Sequence, residues 1–109
     1  MTLLDDVLHR LPDTGEVNII ATRTVLPGKQ EEFEAVLNEM VTGTLANDQG
    51  CLRYEWYRSD APCTYILLER WADRAAVLAH LQARHMVATR SRIASIAAGD
   101  LTFASLSKL

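Results

Sequence analysis

The chain is poor in the features that mark several common protein classes. Its 11 basic side chains are outnumbered by 14 acidic ones, for a formal charge of −3. It therefore has no basic footprint for nucleic acid and no polybasic patch for an anionic membrane. Its two cysteines, Cys51 and Cys63, make neither a disulfide framework nor a C-x-x-C motif. No apolar run approaches the roughly 20 residues of a membrane span. The five glycines form no G-x-G-x-x-G, Walker or G-x-S-x-G pattern, which argues against dinucleotide, nucleotide and serine-hydrolase chemistry. Asp5 and Asp6 come early and no basic segment precedes them, so no signal peptide is expected and a cytoplasmic protein is the default.

What is present is apolar sequence in a short chain. Hydrophobic residues make up 49% of 109 positions, which suits one domain with a modest core of its own. Leu3, Leu4, Val7, Leu8 and Leu11 fall at helical spacing and predict a short helix in an extension spanning residues 1–16. Pro12-Asp13-Thr14-Gly15 ends it. A β-branched run from Val17 to Leu26 predicts the first strand. A helix follows from about Gln30 to Ala46, with Phe33, Val36, Leu37 and Met40 on one face and glutamates on the other.

Residues 51–58 and 63–71 read as a strand pair around the turn Ser59-Asp60-Ala61-Pro62. Asp73 is placed to cap a helix running to about Gln82. A second helical stretch starts near His85, and Leu101 to Leu106 is a last strand. The order is β-α-β-β-α-β after a helical extension. This predicts an α+β, ferredoxin-like fold with an antiparallel sheet, occupying residues 17–109.

Two strands are apolar at consecutive positions, Ile19-Ile20 and Tyr65-Ile66-Leu67-Leu68. Such strands are expected to be buried on both faces. Two helices cover only one face, so a second copy of the same sheet, in a homodimer, is the simplest cover for the other.

A turn at 59–62 sets Arg58 opposite Cys63, Trp56 opposite Tyr65, Tyr54 opposite Leu67 and Leu52 opposite Glu69. One face then carries Leu52, Tyr54, Trp56, Tyr65, Leu67, Glu69 and Trp71. The other carries Cys51, Arg53, Glu55, Tyr57, Ile66, Leu68 and Arg70. Cys51, opposite Arg70, and Cys63, at the far end, lie too far apart to be bridged.

Several side chains could do chemistry. His80 and His85 are candidate general bases near neutral pH, or partly buried histidines bonded to backbone carbonyls. Their i, i+5 spacing does not put both rings on one helical face, so no metal site is expected. Glu69 on an aromatic face is either paired with an arginine or shifted upward in pKa. Tyr54, Trp56, Tyr65 and Trp71 are either plain core or a wall for a planar ligand. Asn18 is a turn residue or a polar anchor for a ligand oxygen.

Val25-Leu26-Pro27-Gly28-Lys29, Gly50-Cys51-Leu52-Arg53-Tyr54, Glu69-Arg70-Trp71 and Ala79-His80-Leu81-Gln82 followed by His85-Met86 occur in order. With these motifs, over about residues 17–107, the chain resembles the antibiotic biosynthesis monooxygenase domain family. Within it, the likeness is to the small quinol-monooxygenase-like proteins. The resemblance implies a dimeric α+β barrel with a pocket between sheet and helices of each subunit. It implies oxygenation of a small quinol or polyphenol by O2 without flavin, haem or metal. His80, with His85 as the alternative, would be the base, and Tyr54, Glu69, Trp71 and Asn18 would contact substrate. The haem-degrading relatives match poorly: their first-strand asparagine, helical tryptophan and haem-ligating histidine are replaced by Ala21, His80 and Arg90. A non-catalytic dimeric module binding an aromatic metabolite or a partner protein is the alternative.

Overall fold

The structure is a computed structural model and describes residues 3–109, with side chains from Asp5 onward. The predicted stripe positions Leu3 and Leu4 therefore have side chains outside the described residues. Helix α1 (Leu3–Arg10) is followed by β1 (Val17–Thr24), α2 (Gln30–Asn47), β2 (Cys51–Arg58) and β3 (Thr64–Trp71). Then come α3 (Arg74–Gln82), α4 (Arg84–Ala94) and β4 (Thr102–Leu106). The four strands form one antiparallel sheet in the order β2-β3-β1-β4. This is the ferredoxin-like arrangement.

Local chemistry accounts for the elements. Asp5 and Asp6 sit at the positive end of α1, and His9 and Arg10 at its negative end. Asp73 caps α3 by accepting the Ala76 N–H at 2.9 Å. Between α3 and α4, Ala83 adopts an extended conformation (ψ 146°) and serves as the end of one helix and the start of the next. The helical axis breaks there. β1 is two residues shorter than its apolar run suggests, because Val25 leaves the ladder for an isolated bridge to Ala97.

The hairpin differs from the expected register. Arg58 pairs with Tyr65, Trp56 with Leu67 and Tyr54 with Glu69. The connection is longer than the predicted turn: Cys63 takes a left-handed conformation (φ 56°) and stays out of β3. The slip is two residues, and strand side chains alternate with period two, so face assignments survive it. They fail only at a bulge between Cys51 and Arg53, which sets Cys51 opposite Trp71 instead of Arg70. Leu52 is displaced from the inner face and is exposed. Both cysteines are free thiols.

In β1 the residues Val17, Ile19 and Ala21 are buried while Ile20 is only partly so. Ile66 and Leu68 repeat this pattern in β3. In the single chain the strands are buried on the helical face alone; burial of the other face, expected from a second copy of the sheet, lies outside a single chain. The outer face is left uncovered. No described helix is long and apolar enough to cross a membrane.

Candidate functional site

A cavity of about 230 Å³ lies between the inner face of the sheet and the helices. Its wall is mostly apolar, with Ile19 and Leu67 from the sheet and Val77, Met86 and Ile93 from α3 and α4. Val7 of α1 closes part of it, so the N-terminal extension helps to build the wall.

His80 lines this cavity from the last turn of α3. The residue is 2% exposed. Its ring packs 4.5 Å from the Trp71 ring and 5.2 Å from the Tyr54 ring, centroid to centroid. Its Nδ1 lies 2.5 Å from Oδ2 of Asp48, the residue that ends α2. Burial pushes the imidazole pKa below its usual value, and the Asp48 carboxylate opposes that shift. His80 is thus mainly neutral at pH 7. Donation of Nδ1–H to Asp48 leaves Nε2 as the nitrogen with a free lone pair.

His85, at the start of α4, does not line the cavity. Its Nε2 is 3.0 Å from the same Asp48 oxygen and 3.4 Å from Thr44 Oγ1. α2 approaches closely here because residue 43 is glycine: a Cβ on Gly43 would lie 2.9 Å from His85 Cβ. The two imidazoles thus converge on one carboxylate, contrary to the expectation from their spacing. The break at Ala83 puts them on separate helices, so a single-helix rule does not apply.

Asp48, His80 and His85 could hold a metal ion, since their ligating atoms all lie within 4.8 Å of one another. Donors around a tetrahedral ion with bonds of about 2.0–2.1 Å stand about 3.4 Å apart. The 2.5 Å Asp48–His80 separation is that of a charge-assisted hydrogen bond instead, and a metal would require these side chains to part.

Among the described residues Glu69 is not paired with an arginine. It lies opposite Tyr54 and accepts the Trp71 indole N–H at 3.0 Å. Burial raises its carboxyl to about 7. Burial, with the nearby Glu69 charge, also pushes the Tyr54 phenol well above its ordinary value. Tyr54 and Glu69 line the cavity. Trp71 does not; it is fully buried behind them, holding Glu69 and packing against His80 with the rings tilted. Asn18 is on the other side of the sheet, between Arg70 and Leu106 in the ladder, and cannot contact a ligand in this cavity. Sequence reasoning missed Asp48 altogether. An aspartate before Gln49-Gly50 at a helix end carries only an ordinary turn signal.

Residues 17–92 match the antibiotic biosynthesis monooxygenase family. The chain belongs to that family. The match stops short of β4 and leaves out α1. A family relative is the Mycobacterium tuberculosis protein Rv0793, which carries the provisional name of a monooxygenase. It is 30% identical over 83 residues, covering 76% of this chain and 81% of its own. Its structure superposes with a TM-score of 0.78 at 26% identity, over 86% of this chain and 95% of that one. A family structure from Caulobacter crescentus, also provisionally named, gives a TM-score of 0.85 at 28% identity, over 89% and 92% of the two chains. These similarities agree with a monooxygenase-family domain of ferredoxin-like fold.

Proposed function

We propose that this family member is a cofactor-independent monooxygenase that oxidises a small quinol or polyphenol with O2. The observation that carries the reading is His80: a neutral imidazole on the wall of an apolar cavity, its tautomer set by Asp48. In this mechanism His80 Nε2 takes the phenolic proton. The resulting electron-rich anion gives one electron to O2, and the substrate radical and superoxide combine to form a C–O bond. Where the reacting carbon carries two hydrogens in its keto form, a hydroperoxide results. Loss of the second C–H proton breaks the O–O bond, leaving a carbonyl and one water. Both electron pairs come from substrate, so no external reductant enters. Glu69, with a carboxyl near 7, can return a proton to the departing oxygen. The apolar wall excludes bulk water and holds the ring against His80.

The functional unit is proposed to be a homodimer. Ile20, Ile66 and Leu68 on the outer sheet face, with the exposed Tyr57 and Leu106, form an apolar surface that the helices lining the cavity on the other face do not cover.

Oxygen-electrode measurements with a panel of quinols and anthrone-like phenols test the chemistry. Substrate-dependent uptake well above that of His80→Ala is expected. Ligand binding without such uptake would replace the enzyme by a binding module.

A further inference from the structure

Two arginines line the cavity without an ion-pair partner among the described residues. Arg23 reaches it from the inner face of β1 and Arg90 from α4. Arg23 Nη1 donates to the Gly99 carbonyl at 3.0 Å, and Arg90 Nη2 to the Leu81 carbonyl at 2.6 Å. Among the described residues neither is within ion-pair range of a carboxylate, whereas Arg10, Arg53, Arg58, Arg70, Arg74 and Arg92 each are. Asp100 acts on Arg23 only at longer range, and burial depresses the Arg23 pKa. A partly desolvated guanidinium with only a carbonyl partner is costly.

The rest of the polar lining points the same way. The Trp56 indole N–H is buried near the Tyr54 hydroxyl without a hydrogen bond of ordinary geometry among the described residues, and indole is a donor only. Tyr54 brings a hydroxyl. Glu69, its carboxyl raised to about 7, carries only part of a negative charge at neutral pH and does not balance the two cations. Against these donors stand two acceptors, His80 Nε2 and the Glu69 carboxyl. The cavity is thus rich in donors and positive charge, and its remaining surface is apolar. Its complement is an apolar ring system with acceptor oxygens and a negative charge.

We infer that the cavity takes an aromatic acid, a phenolic or quinolic ring whose hydroxyl meets His80 and whose carboxylate is held by Arg23 and Arg90. The inference rests on the reading of this cavity as the substrate site. The planar forks of two guanidiniums suit a carboxylate. A neutral quinol leaves both of them unanswered, and that difference sets specificity.

Binding, not turnover, is the test. The probe is 6-hydroxy-2-naphthoate, which carries a phenol and a carboxylate at opposite ends, compared with its neutral carboxamide by calorimetry at low salt. The acid is expected to bind about 10-fold tighter or better, as charged hydrogen bonds give. Added salt reduces the gap. In Arg23→Gln/Arg90→Gln the gap closes while carboxamide affinity is retained. Arg90→Lys, which keeps the charge, retains part of the gap and serves if the double variant does not fold. Equal affinity for acid and carboxamide, no binding of the acid, or a gap that survives in the double variant overturns the inference. Acid binding without O2 uptake leaves it standing and removes the oxygenase reading.

Discussion

Asp48 and His80, 32 positions apart, meet with Oδ2 and Nδ1 separated by 2.5 Å, and their side chains are 8% and 2% exposed. The carboxylate at the end of α2 fixes an imidazole at the end of α3. His85 approaches the same oxygen from α4 at 3.0 Å. The His80 nitrogen left with a lone pair is thus selected by a residue that does not itself line the cavity.

His80→Ala is expected to lower kcat for quinol oxidation by about 10²–10⁴-fold, the usual worth of a general base. Asp48→Asn lowers kcat by a smaller factor. Because Asp48 raises the His80 pKa against the effect of burial, its neutralisation also moves the acid limb of the kcat/KM profile to lower pH. Stopped-flow oxygen uptake against pH reads both effects. An unmoved acid limb would remove Asp48 from this role.

Glu69 imposes its own pH dependence. Its carboxyl titrates near 7 in the folded protein against 4.5 ordinarily. Between those values the folded chain holds a proton that the unfolded chain has released. Its contribution to stability is therefore full at low pH and falls as pH rises through the window. Thermal melts between about pH 5 and pH 8 are expected to show a steeper decline for the native protein than for Glu69→Gln. Parallel profiles would show that Glu69 is ordinary in the fold.

The cavity wall supplied by α1 can be tested by filling it. Val7→Trp adds bulk where Val7 is 6% exposed. Overpacking costs about 1–3 kcal/mol of stability, and KM rises because the indole competes with substrate for space. Chemical denaturation and steady-state kinetics measure the two separately. An unchanged KM would place α1 outside the site.

The dimer is tested at Leu68, partly exposed on the outer face. Leu68→Asp puts a charge into the proposed sheet-to-sheet contact and shifts the protein to monomer, because an unpaired buried carboxylate is not tolerated there. Sedimentation velocity at micromolar concentration reads this. A native protein that is itself a stable monomer ends the dimer proposal.

Much of the fold was legible locally. The β1, α2, β2 and β3 boundaries fell within a residue or two of the observed ones, because runs such as Phe33-Val36-Leu37-Met40 carry the helical period unambiguously. The hairpin faces survived a wrong register because the error was an even number of residues. The bulge that sends Leu52 outward left no mark in the sequence. The site was less legible. His80 was found by residue type and Tyr54 and Glu69 by strand parity, but Trp71 proved to lie behind the cavity and Asn18 on the far face.

By itself the sequence determined the order of elements, the ferredoxin-like topology and the composition of the strand faces outside the bulge at Cys51–Arg53. Those follow from periodicity, which involves neighbours a few residues apart. Only the tertiary structure decided that His80 and His85 share Asp48 and that Arg23 and Arg90 face one cavity. Those relationships join separate elements. They depend on how α2, α3 and α4 settle on the sheet, and on the break at Ala83, which no local pattern encodes.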